Sequence, residues 1–172
     1  MQTQIEQFDI LDVTGKPTGI TADKGTKLQD GQYYLGIHVY VYNSCGKFLL
    51  QQRSYNKKFL PGGWDILCEH VIAGETSREG ALRGLREEIG LHVPEADLHF
   101  VERMRWEADH HIVDIYFAKA DFTPDELTLQ SSEVISAKMV SLEEMLALIS
   151  QMDYRPTEYR QFMKEFLHAK EF

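Results

Sequence analysis

Apolar and polar positions alternate with a period of two along residues 34–42, where Leu35, Ile37, Val39 and Val41 are separated by Gly36, His38 and Tyr40. That alternation predicts a β-strand. Asn43-Ser44-Cys45-Gly46 then reads as a turn into a strand over residues 47–53, so a second hairpin is expected there. The first hairpin is N-terminal: short strand patterns at 8–12 and 18–22 flank the Gly/Pro turn Val13-Thr14-Gly15-Lys16-Pro17, with a polar, glycine-bearing loop from 23 to 31 behind them. Residues 98–106 and 111–120, divided by Glu107-Ala108-Asp109-His110, and residues 133–140 are also rich in strand formers. The expected sheet is large and mixed.

Helical spacing replaces the strand period in three places. Thr76 with Glu79 forms a capping box ahead of an apolar stripe of Ala81, Leu82, Leu85 and Ile89, and Gly90 is positioned to stop the helix. Opposite that stripe, positions 84, 87 and 88 are expected to share an outward face. Ser141 with Glu144 repeats the capping box before Met145, Leu148 and Ile149, and Pro156 precedes Tyr159, Phe162, Met163, Phe166 and Leu167. Amphipathic helices covering a mixed sheet predict a layered α/β domain.

A chain of 172 residues that is 43% apolar has about one domain's length and enough core-forming side chains for it. No apolar run approaches the length of a signal segment or a membrane span, and Cys45 and Cys68 alone suggest no disulfide framework, so a cytoplasmic protein without a membrane partner is expected. With 27 acidic against 18 basic side chains the formal charge is -9, which argues against a nucleic acid polymer as partner. A small anionic ligand needs local positive charge. Arg53, Lys57 and Lys58 in Arg53-Ser54-Tyr55-Asn56-Lys57-Lys58 are the candidates to bind phosphates, a solvated basic loop being the other reading. Trp64 and Trp106 read as core residues or as stacking platforms, and Trp106 is retained as a candidate substrate-binding residue. Adjacent carboxylates at Glu87 and Glu88 suit a hard divalent cation, or else a solvated helix face paired with Arg83 or Arg86.

Residues 69–91 resemble a Nudix box, whose pattern is glycine, five residues, glutamate, seven residues, then Arg-Glu-apolar-x-Glu-Glu-x-Gly-apolar. The chain matches it at Glu75, Arg83, Leu85, Glu87, Glu88, Gly90 and Leu91. It departs twice: Glu69 stands where the pattern opens with glycine, and Gly84 where it has the first glutamate of the catalytic helix. The run Phe59-Leu60-Pro61-Gly62-Gly63-Trp64-Asp65-Ile66 and the segment Cys68-Glu69-His70 are similar to members of the family related to isopentenyl-diphosphate isomerase.

The resemblance implies an α/β/α sandwich forming one domain over residues 1–172, with an N-terminal hairpin and loop at 1–31, the box at 69–91 and C-terminal helices at 141–172. It also implies metal-dependent hydrolysis of a diphosphate bond in a nucleoside diphosphate linked to another moiety. Mg²⁺ or Mn²⁺ would be held by Glu87, Glu88 and the main-chain carbonyl of Cys68, while Glu75 and Arg83 tie the loop to the helix. Gly84 removes one carboxylate, so activity is expected to be reduced or rescued by another acid. Glu133, in Gln130-Ser131-Ser132-Glu133-Val134, is the foremost substitute, making Glu88 and Glu133 the expected catalytic acids, an exposed glutamate at a strand start being the other reading; Glu69 could also reach the cation, with a loop distorted by the lost glycine as the equal alternative. The alternative is a catalytically silent domain that binds a nucleotide or a protein partner. Isomerase activity is not expected: Lys27-Leu28 and Tyr33-Tyr34 occupy the region where those relatives have two further histidine ligands, and His110-His111 reads as a surface turn. Homodimers are common in the resemblance, and the N-terminal hairpin is a candidate interface.

Overall fold

The computed structural model of the chain describes residues 6–172. The strand-period segment becomes β3 (Tyr34–Tyr42), the centre of a seven-stranded mixed sheet. Its alternation does not divide core from solvent, because both faces are buried. Ile37, Val39 and Val41 enter one core, whereas Tyr40 and Tyr42 enter a second on the opposite side. Large aromatic side chains on the "polar" phase make this possible, and a helical layer over each face keeps water out.

Along one edge β3 runs parallel to β8 (His111–Lys119) from Tyr34↔His111 to Tyr42↔Lys119, and β8 continues antiparallel to β7 (Leu98–Trp106). Along the other edge the expected hairpin with β4 (Phe48–Arg53) closes at its turn, where the Asn43 N–H donates to the Lys47 carbonyl at 3.0 Å. Beyond the single pair Tyr42↔Phe48 the two strands part. β3 takes β6 (Leu67–His70) as its neighbour, with Ile37↔Glu69 and His38↔Cys68, while β4 pairs with β5 (Trp64–Asp65) and β9 (Val134–Val140). Neither β5 nor β6 was expected, since runs this short carry no readable period. The parting of β3 and β4 is what opens the sheet for a site.

Across this opening lies α1 (Ser77–Ile89). Its capping box forms as the pattern predicts: the Glu79 N–H donates to Thr76 Oγ1 at 3.2 Å and the Thr76 N–H to Glu79 Oε2 at 2.8 Å. Ala81, Leu85 and Ile89 are fully buried against Val39, Val41 and Leu67 in one core. On the opposite face α2 (Leu142–Gln151) and α3 (Thr157–Ala169) bury Met145, Ile149, Tyr159, Met163 and Leu167 against Tyr40, Phe48 and Phe117. The result is the α/β/α sandwich with its antiparallel N-terminal hairpin of β1 (Gln7–Leu11) and β2 (Pro17–Asp23). Phe8 and Ile10 anchor that hairpin on Leu28 and Tyr34.

Candidate active site

Where the sheet parts, β3, β4, β6 and α1 enclose a cleft of about 570 Å³, with Glu133 and Arg155 contributed by later loops. Glu88 is 5% exposed within it, which corrects the outward face expected for this residue. Each helical residue turns about 100°, so Glu88 sits beside Ile89 and one turn after Gly84 and Leu85, all of which are buried. Gln51 Nε2 of β4 donates to Glu88 Oε2 at 2.8 Å. Burial and the neighbouring charge of Glu69 push the Glu88 carboxyl up to about 8. Glu87 lies at the rim with its side chain 50% exposed, 3.5 Å from Arg83 and 3.7 Å from Arg86.

The loop before α1 is tied to the helix by ionic and main-chain bonds. Arg83 Nε donates to Glu75 Oε1 at 2.9 Å and Nη2 to Oε2 at 3.2 Å, while Nη2 also donates to the His70 carbonyl at 2.9 Å. Glu75 in turn accepts from the Ile72 N–H at 3.1 Å. This half-buried bidentate pair joins the end of β6 to the middle of α1, and so sets the distance between strand and helix acids.

A second tether positions the loop that carries Glu133. The Thr128 N–H donates to the Ile89 carbonyl at 3.0 Å and the Gln130 N–H to the Glu88 carbonyl at 2.8 Å, so the helix C-terminus is finished by this loop. Such an approach requires Gly90, whose φ is 69° and where a Cβ would lie 2.8 Å from Thr128 Cβ and 3.0 Å from Thr128 N. Gly90→Ala is therefore expected to lower stability by about 1–3 kcal/mol and to displace Glu133; a denaturant midpoint unchanged from the natural chain would contradict this.

Glu133 forms an ion pair with Lys57 at the cleft mouth. Arg53 also lines the cleft; its Nε donates to the Phe59 carbonyl at 3.0 Å and its guanidinium lies over the Phe59 ring. Lys58 is exposed and outside the cleft lining, so the basic run divides into two cleft residues and one solvated residue.

The far wall holds groups that no periodicity singled out. Asp65, 1% exposed, accepts from Arg155 Nη2 through Oδ1 at 2.7 Å and Oδ2 at 2.8 Å, and Arg155 is itself only 5% exposed. Arg155 also contacts His38 and donates to Cys68 Sγ at 3.2 Å. Burial, reinforced by Asp65, pushes the Cys68 thiol up to about 12, so it remains protonated at neutral pH. Trp106 lines the cleft, with its ring packed edge-on against His38 and Tyr159. His111 is no surface residue: it opens β8 and its Nε2 lies 2.9 Å from His70 Nε2, one ring donating to the other. Burial and His111 hold His70 down near 4, so the pair is neutral at physiological pH. His110 does occupy the turn, with a positive φ of 51°.

Among the described residues no three His, Cys, Asp or Glu side chains converge tightly enough to enclose an ion. The oxygen chemistry nevertheless suits Mg²⁺ or Mn²⁺, because such ions bind through one or two carboxylates and complete their shell with water and substrate phosphate. A further oxygen lies beside Glu88: Gln51 Oε1 is buried without a partner. Gln51, Asp65, His38 and Arg155 escaped the sequence reading. The nearest signal was the polar Gln51-Gln52 pair ending an apolar strand.

The NUDIX domain pattern matches residues 32–166 of this chain. An uncharacterized Nudix hydrolase of Listeria monocytogenes is 33% identical over 154 residues, spanning 88% of this chain and 89% of that protein. An isopentenyl-diphosphate Delta-isomerase of Pectobacterium atrosepticum is 29% identical over 169 residues, spanning 90% and 93%. A solved structure from Deinococcus radiodurans superposes with a TM-score of 0.73 at 16% identity, covering 95% of this chain and 98% of its own, which is a likeness of fold.

Proposed function

The chain belongs to the Nudix family, and from that premise we propose that it is a divalent-metal-dependent hydrolase cleaving a diphosphate bond in a nucleoside diphosphate linked to another moiety. One observation carries this reading: an acidic side chain, Glu88, is kept in a buried cleft at the cost of desolvation and held there by Gln51. Ionising a buried carboxyl is expensive, and a bound divalent cation would offset the cost. Residues 1–172 are taken as a single domain of this family, acting in the cytoplasm on a small molecule.

Glu87, Glu88 and the main-chain carbonyl of Cys68 are the proposed holders of Mg²⁺ or Mn²⁺. When bound, the ion would neutralise the diphosphate and acidify water. Arg53 and Lys57 receive phosphate oxygens at the mouth. Lys57 is paired with Glu133 in the free protein, so a phosphate that draws Lys57 away leaves the Glu133 carboxylate available to take a proton from water. Glu75 and Arg83 hold loop and helix in register, and Trp106 with the histidine wall offers a flat, uncharged surface to the remainder of the substrate.

Product release from a panel of diphosphate substrates, measured with Mg²⁺, with Mn²⁺ and with excess chelator, tests the reading. Metal-dependent release is expected. The alternative, a domain that binds a nucleotide without turning it over, is favoured by Gly84 and predicts saturable binding with no release. Isomerase chemistry separates at Cys68. Cys68→Ala is expected to leave hydrolysis within about tenfold, or ~1.4 kcal/mol of barrier, because the thiol is bonded to Arg155 and protonated.

A further inference from the structure

The two departures from the family pattern face each other in space. Gly84 lies on α1 and Glu69 on β6, and a Cβ built on Gly84 would meet Glu69 Cβ at 3.6 Å, Glu69 Cγ at 3.8 Å and Leu67 Cδ2 at 3.3 Å. The stem of Glu69 thus lies in van der Waals reach of position 84, and the tightest neighbour of a side chain there would be Leu67. Its carboxyl is anchored by the His70 N–H, which donates to Glu69 Oε1 at 2.7 Å. Glu69 and Glu88 both line the cleft. Beside them the Gln51 amide, 2% exposed, donates to Glu88 and leaves Oε1 without a partner.

We infer that Glu69 supplies the cation-binding carboxylate that Gly84 lacks, so the strand carries the acid that the family pattern places on the helix. The two changes form one reciprocal exchange. A glycine at 84 is destabilising within a helix interior, but here it lets α1 lie against Leu67 and Glu69 of β6 without strain. A glutamate at 69 projects from β6 toward α1 because it pairs with Ile37, whose side chain enters the core shared with α1. With both positions glutamate, stems would crowd and a third carboxylate would join Glu69 and Glu88; with both glycine, the site would lose an oxygen donor and gain a void. Glu69 and Glu88 line the same cleft, where a divalent cation would balance both charges, and Gln51 Oε1 offers a neutral acceptor to the ion or its water.

This inference rests on the hydrolase reading of Glu88, and the test distinguishes the two. Mn²⁺ affinity of the whole protein would be measured by the loss of the free-ion paramagnetic signal, alongside turnover, for the natural chain, E69Q, G84E, the double exchange E69G/G84E, and E88Q. E69Q preserves size and is expected to weaken Mn²⁺ binding on the order of 10–100-fold. G84E alone is expected to bind no better than the natural chain and to melt at a lower temperature. The double exchange is expected to regain affinity and turnover lost in E69Q, a non-additivity that a merely structural Glu69 would not produce. Mn²⁺ affinity in E69Q equal to that of the natural chain overturns the inference, whether or not the double exchange folds. If E88Q loses the ion while E69Q keeps it, the hydrolase reading stands and only this inference fails; if neither loses it, or the natural chain binds no Mn²⁺, both fail.

Discussion

Glu88→Gln is expected to reduce metal-dependent turnover on the order of 10²–10⁴-fold while making the metal-free protein more stable at pH 8. The two effects have one cause. Glu88 is buried, and burial together with Glu69 raises its carboxyl to about 8 from an ordinary 4.5. A folded-state value above the unfolded one means that the native protein retains a proton which the unfolded chain releases as pH rises. Stability from this group is therefore complete below about pH 4.5 and falls through the window up to about 8, by as much as ~1.4 kcal/mol per pH unit. Glutamine is neutral throughout, can still accept from Gln51 Nε2, and escapes that loss. Thermal unfolding of both proteins in chelator at pH 5 and pH 8 should show the variant gaining at the higher pH, with Mn²⁺ narrowing the difference. A variant that is less stable at pH 8 and fully active would remove Glu88 from both roles.

Arg155→Ala should be the most destabilising single change outside the acid cluster. Removing the guanidinium leaves Asp65 an unpaired anion at 1% exposure, and breaking a buried pair in this way typically costs about 3–5 kcal/mol. For a chain of this size that corresponds to a fall in thermal midpoint of roughly 6–20 °C. Asp65 ends β5, and Arg155 joins it to the segment leading into α3, so the damage should reach the cleft wall formed by His38 and Cys68. Replacing both partners, as in Asp65→Leu with Arg155→Met, should recover much of the loss because no bare charge remains. A double variant as unstable as Arg155→Ala would show that the pair is needed for its hydrogen bonds to His38 and Cys68 rather than for charge balance.

The sequence by itself determined the local structure and the order of the elements. Capping boxes at Thr76 and Ser141, the Gly90 stop and the period-two strands are decided within a few residues by backbone hydrogen bonding and side-chain alternation, so they could be read directly. The box spacing likewise brought Glu75, Arg83, Glu87 and Glu88 onto one loop and helix. Three things were decided only by packing. The early separation of β3 from β4 follows from β6 taking the edge of β3 and β5 that of β4, which depends on a segment, residues 64–70, lying beyond the hairpin in sequence. Glu88 is inward because α1 lies across that opening, where a second layer covers an arc of helix that amphipathicity alone assigns to solvent. The contact between Glu69 and Gly84, two apparent defects fifteen positions apart in the chain, exists because β6 and α1 pack face to face, a distance through space that no spacing along the sequence records.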